Sequence, residues 1–125
     1  MARLEEIVVD AVHPAALARF WAVVLDGYAV RPYDAAETAR LARLGLTPET
    51  DPAVAVDGAG PTLFFQQATA ASSGRGRIHL DVACESRSHE VARLERLGAR
   101  VRDVHGSYTV MLDPEGNAFC VRGGP

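Results

Sequence analysis

The chain has 125 residues, is 48% hydrophobic and 23% charged, and carries a net charge of −3. That is ordinary globular composition for one domain, long enough to bury a core without disulfides or a structural metal. Its 13 basic residues, all arginine, are interleaved with acids, so there is no basic footprint for nucleic acid. Cys84 and Cys120 both lie in apolar runs and read as reduced, buried thiols rather than a disulfide framework. No apolar run approaches the ~20 residues of a membrane span, and the first ten residues carry acids and no long apolar core. A cytoplasmic protein with no membrane partner is expected.

Taken in chain order, residues 7–12 are β-rich and predict a strand. Pro14 suits a first helical position, where its missing N–H costs nothing. Leu17, Phe20, Trp21 and Val24 then recur at helical spacing, and Gly27 can end the helix. Residues 35–45 predict a short helix with Thr38, Leu41 and Leu44 on one side, closed by Gly45. Residues 54–66 predict a strand, a turn led by Asp57 and a second strand. Residues 69–77 are small, polar and Gly-containing, and read as a linker. Residues 78–83 predict another strand. Ser86 can cap the next helix, whose stripe is Val91, Leu94 and Leu97, with Gly98 just past its end. Residues 103–108 read as a hairpin loop, and 113–116 (Asp-Pro-Glu-Gly) as a tight turn.

The chain repeats itself. One shift carries Asp10 onto Asp81, Phe20 onto Val91, Val23 onto Leu94, Gly27 onto Gly98 and Arg31 onto Arg102. A smaller shift carries Val54 onto Val110, Asp57 onto Asp113, Gly60 onto Gly116 and Phe65 onto Val121. The difference between the shifts is an insertion in the first copy, within residues 33–50. The prediction is an α+β fold of two βαβββ modules, 1–68 and 78–125, with an inserted helix in the first.

Paired modules of this kind, with RIHLDVACES, LERLGARV, TVMLDPEGNAFCVR and the earlier ALARFWAVVLDG, resemble the vicinal oxygen chelate superfamily and its glyoxalase-like, bleomycin-resistance-like members. The resemblance covers the chain outside the insertion. It implies curved, mixed, mainly antiparallel sheets around a cavity, a small-molecule ligand, and in many members a divalent metal or a homodimer. Metal-dependent members place ligands on the first and last strand of each module. His79 and Cys120 match two of those positions, and their repeat partners are Val8 and Phe64, which donate nothing to a metal. Glu6, two residues before Val8, shares its strand face and offers a third donor.

Strand alternation adds Asp10, Gln66, Asp81 and Arg122 to the face of Val8, Phe64, His79 and Cys120. His79 and Asp81 should lie about 7 Å apart at Cα, close enough for a His–carboxylate acid/base pair. Asp10 and Asp81 can equally bind backbone amides of the turn before each helix. The expected catalytic residues are therefore His79 and Asp81. Asp10, Phe64, Gln66, Cys120 and Arg122 would contact substrate, and any metal would fall to His79, Cys120 and Glu6. The incomplete ligand set argues against a standard metal-dependent glyoxalase I. A lyase- or isomerase-type enzyme, a drug- or metabolite-sequestering protein, and a regulatory module with a vestigial cavity remain distinct readings. His13, His89 and His105 are expected at a helix cap or on the surface.

Overall fold

In the computed structural model, residues 1–68 and 78–125 are described; the expected linker lies outside them. In chain order the elements are β1 (Arg3–Ala11), α1 (Pro14–Val24), β2 (Ala29–Val30), α2 (Ala35–Arg43), β3 (Ala53–Asp57) and β4 (Thr62–Gln67). Then come β5 (Ile78–Ser86), α3 (Arg87–Arg96), β6 (Arg100–Val104), β7 (Tyr108–Leu112) and β8 (Ala118–Gly124). This is the expected α+β order, including the inserted α2. The chain divides into two compact units, Val8–Arg77 and Met1–Ile7 with Ile78–Pro125. No helix among the described residues is long and apolar enough to cross a membrane.

In the Val8–Arg77 unit, β2, β3 and β4 form an antiparallel meander, with Val54 opposite Phe65 and Ala55 opposite Phe64. Helix α1 covers one face, where Ala11, Ala15, Ala18, Val54, Val56 and Phe65 form the core. The helix does not bury its large side chains. Ala15 and Ala18 are buried, whereas Phe20, Val23 and Val24 are 57%, 87% and 52% exposed. The stripe of Leu17, Phe20, Trp21 and Val24 is thus largely not the core face; only Leu17 packs against the core. A flat alanine face lets the helix approach the strands closely, which large residues would prevent. Helix α2 starts at Asp34, whose carboxylate accepts from the Glu37 amide at 2.7 Å, and ends before Gly45, at φ 74°.

In the other unit, β5 pairs in parallel with β8, and β8, β7 and β6 run antiparallel. Helix α3 is capped by Ser86, as expected, and stops at Gly98, at φ 108°. Its Val91 and Leu94 pack on Cys84, Met111 and Val121, while Leu97 is 65% exposed. The predicted tight turn forms, with the Gly116 amide donating to the Asp113 carbonyl at 2.9 Å. At Gly123, φ is 151° and an added Cβ would lie 2.2 Å from the Cys84 carbonyl oxygen. Only glycine lets β8 run this close to β5.

A buried charge ties α3 down. Glu90 is 4% exposed and takes two bonds from Arg93, at 2.7 and 2.8 Å, and one from the Ala2 amide. The Arg93 bonds hold its carboxyl down at about 2. A carboxyl depressed in the fold stabilises it above the unfolded value of 4.5, and that contribution fades as pH falls through about 2. Glu90→Gln should therefore cost about 1–3 kcal/mol at neutral pH and flatten the acid limb of stability in urea unfolding below pH 4.5. In the other unit, Ala18→Leu should destabilise by about 1–3 kcal/mol through overpacking. Phe20→Ser, on the exposed side of the same helix, should stay within about 0.5 kcal/mol.

Candidate functional site

Each unit has one sheet face under its helix and one face turned away from it. Alternation along β5 sends Val82 and Cys84 to α3 and leaves His79 and Asp81 on the opposite face. On β8, Val121 is in the α3 core, so Cys120 and Arg122 share the face of His79 and Asp81. The parallel register sets Asp81 directly opposite Cys120. The sequence-predicted pair and two of the predicted contact residues thus meet within one unit.

Asp81 is the centre of this group. It is only 3% exposed, an uncommon state for a carboxylate without strong partners. Arg122 Nε donates to its Oδ2 at 3.2 Å, and His79 Nε2 stands 3.4 Å from its Oδ1. Oδ1 is buried yet has no well-formed hydrogen bond. Burial alone would raise the Asp81 carboxyl, but His79 and Arg122 outweigh it and hold it below its usual value. The same contact, with a second from Cys120, lifts His79 to about 9. The imidazole is therefore charged at neutral pH and is poised as an acid rather than a base.

Glu6 stands beside this group. Its carboxyl is raised by burial and by the nearby Asp81 charge. The row also continues in a direction that the sequence reading missed. Tyr108 on β7 pairs with Arg122 in register, and its ring lies 5.6 Å from the guanidinium carbon. His105 stacks on Tyr108 with centroids 4.5 Å apart. Reading β7 and β8 as a hairpin about the 113–116 turn would have placed Tyr108 beside Arg122.

In the Val8–Arg77 unit the repeat-related residues do something milder. Asp10 accepts from Gln66 Nε2 at 2.9 Å. The pairing echoes Asp81 with Arg122, with a neutral amide where the other unit has a charge. Phe64 lines a separate hollow of about 410 Å³ with Tyr33, Asp51, Ala53 and Ala55. There Asp51, 6% exposed, accepts from the Tyr33 hydroxyl at 2.7 Å and the Ala53 amide at 3.0 Å. The insertion supplies Tyr33, which no repeat comparison could have flagged. His13 precedes α1 without a side-chain cap, and His89 is exposed on α3.

His79, Asp81 and Cys120 each offer one ligand atom, and the three lie within 4.8 Å of one another. Together with the unsatisfied Asp81 oxygen, this donor set fits a small divalent cation. Glu6 is not one of the three donors in that cluster.

Comparison with known proteins agrees with the architecture. A protein from Bacillus halodurans C-125 described as hypothetical superposes with a TM-score of 0.62 at 10% identity, covering 99% of this chain and 95% of its own. A protein of Legionella pneumophila titled NAD-dependent benzaldehyde dehydrogenase gives 0.58 at 12% identity, with 96% and 98% covered. A glyoxalase/bleomycin resistance protein/dioxygenase superfamily member from Vibrio splendidus 12B01 gives 0.56 at 10% identity, with 97% of each chain covered. At such identities these likenesses speak for the fold alone. No curated protein matches significantly. The glyoxalase-like domain profile matches residues 6–122, from β1 into β8, and the chain accordingly belongs to the glyoxalase-like domain family of the vicinal oxygen chelate superfamily.

Proposed function

We propose that the open face of the β5–β8 pair binds a small polar molecule, anchored by Arg122 and Asp81, to which His79 delivers a proton. The observation that carries this reading is Asp81, buried beside His79, Cys120 and Arg122 and itself short of one hydrogen bond. A desolvated carboxylate with an oxygen to spare is costly for a fold to keep, whereas a binding site can use it. Arg122 is hydrogen-bonded to Asp81 through Nε alone, so the rest of its guanidinium can take a carboxylate or similar oxygen anion. The Tyr108 ring lies against that guanidinium, 5.6 Å from centroid to its carbon.

The chemistry follows from the charge on His79. An imidazolium fixed by a carboxylate gives up a proton to an oxygen or carbon that becomes basic during reaction, and takes it back afterwards. That is the proton bookkeeping of a lyase or isomerase. Cys120, with its sulfur within 4.8 Å of the His79 ring nitrogen, limits where the ring can turn. A cation bound at the same donors would supply Lewis-acid polarisation of a ligand oxygen. In the other unit, Asp10 with Gln66, and Phe64 in its hollow, offer polar and apolar contacts of their own.

Two measurements test this reading. Small hydroxy- and oxo-carboxylates are suitable probes, because Arg122 suits the carboxylate and His79 the second oxygen. At a hundredfold excess over Kd, such a probe should stabilise the protein by about 2.7 kcal/mol. Arg122→Gln should remove most of that gain, and a gain untouched by Arg122→Gln and Asp81→Asn would move binding elsewhere.

Proton NMR of the imidazole in chelator-treated protein should give His79 a pKa of about 9, falling towards 6.5 in Asp81→Asn. Because the folded value is raised, the contribution of His79 to stability is complete below pH 6.5 and is lost as pH rises through about 9. An unshifted His79 in the wild type would remove the proton donor.

A further inference from the structure

We propose that the insertion builds a second binding site, in the hollow lined by α2 and β3, for a small organic ammonium ion with a flat or apolar body. The site lies wholly within the Val8–Arg77 unit and does not rest on the acid role of His79. The superfamily resemblance is silent on it. Tyr33 and the α2 residues that wall the hollow belong to the insertion, which the resemblance leaves out.

Size and lining admit a ligand. The hollow holds about 410 Å³, within the range of about 300–1,000 Å³ usual for small-molecule pockets. Ala53, Ala55 and Phe64 give it an apolar wall, and Tyr33 adds a second ring.

The charged groups decide the class of ligand. The carboxylates of Asp34, Glu37 and Asp51 stand against the guanidiniums of Arg31 and Arg40. Arg40 is bound to Glu37 on the same helix, and Arg31 takes Asp57 at 2.7 and 2.9 Å. An anion would therefore meet arginines already neutralised. Asp34 is the exposed cap of α2, so Asp51 is the buried charge. It is 6% exposed, and its hydrogen bonds come from the Tyr33 hydroxyl and the Ala53 amide, both neutral. A carboxylate buried among neutral donors is costly, and asparagine closes the same kind of turn without a charge. An ionised carboxylate accepts about four hydrogen bonds. An ammonium in the hollow would find an acceptor in Asp51 and supply it with a countercharge.

The rings suit the same ligand. Burial and the Asp51 carboxylate push the Tyr33 phenol up, so its hydroxyl stays a donor to Asp51 and the ring is held in place. Tyrosine and phenylalanine faces attract cations, and flat groups pack on them.

Calorimetric titration with phenethylammonium, beside neutral 2-phenylethanol and anionic 3-phenylpropionate, tests the class. At neutral pH phenethylammonium should saturate one site, and each of the other two should bind about tenfold more weakly or worse. Asp51→Asn should cost about tenfold in amine affinity, and Tyr33→Leu about threefold. Arg122→Gln, in the other unit, should leave it unchanged. The three probes need only the wild-type chain, so the class is judged even if Asp51→Asn does not fold. Equal affinity for the alcohol and the amine, tighter binding of the carboxylate, amine binding that survives Asp51→Asn, or no saturable binding of phenethylammonium overturns the proposal. Failure here leaves the Arg122 anchor standing, because that is read with carboxylate probes in the other unit.

Discussion

The pairing of β5 with β8 is the contact that brings His79, Asp81, Cys120 and Arg122 together. A parallel ladder offers no tight hairpin to fix its register, so something else must. Here the register is set from behind. Val82, Cys84 and Val121 are buried against α3, and a slip by one residue would turn each of them outward and His79, Asp81, Cys120 and Arg122 inward. The apolar face therefore specifies the polar one. Gly123 adds a second constraint, since a side chain there would collide with the Cys84 carbonyl. The strands stay close enough for residues on β5 and β8 to share hydrogen bonds.

Desolvating Asp81 is costly, and the surrounding residues show how the fold sustains it. Arg122 supplies a full charge, His79 a second that exists because of Asp81 itself, and Glu6 beside them is pushed towards its neutral form. Each group thus shifts the others in the direction that keeps the cluster close to neutral. A network of this kind is sensitive to single changes, because removal of one partner leaves the rest buried and unbalanced. It differs from Glu90 on α3, where a buried carboxylate is fully satisfied by Arg93 and a backbone amide. Two buried acids in one unit thus serve opposite ends, one closing a structural contact and the other left with an oxygen to spare.

Much of this was legible in the sequence, for reasons that can be named. The internal repeat located His79 and Cys120, and strand alternation then added Asp81 and Arg122. Local signals placed Ser86 at the start of α3 and Gly45 and Gly98 at helix ends, because capping and left-handed backbone are short-range requirements. What failed was the face of α1. Its large residues recur at helical spacing, but so do Ala15, Ala18 and Ala22, and size alone favours the wrong set. Which face is buried was decided by how closely the helix must approach Val54, Val56 and Phe65, a property of the sheet and not of the helix. Tyr108 was missed because the predicted 113–116 turn was not carried on into a β7–β8 register, which places Tyr108 beside Arg122. The satisfaction of Glu90 was invisible too, because one of its partners lies 88 residues away.

The duplicated halves show how one pattern yields two kinds of site. In both, an acid on the first strand meets a polar side chain from the last: Asp10 with Gln66, and Asp81 with Arg122. An amide satisfies a carboxylate without charging its surroundings, and with Val8 beside it the first pair has neither a proton to give nor a second ligand atom. The second pair has guanidinium, imidazole and thiol on the same face, so its carboxylate can hold a proton on His79 or share a cation with it. A few differences at repeat-related positions, Val8 against His79 and Phe64 against Cys120, therefore separate a neutral polar pair from a cluster of titratable groups.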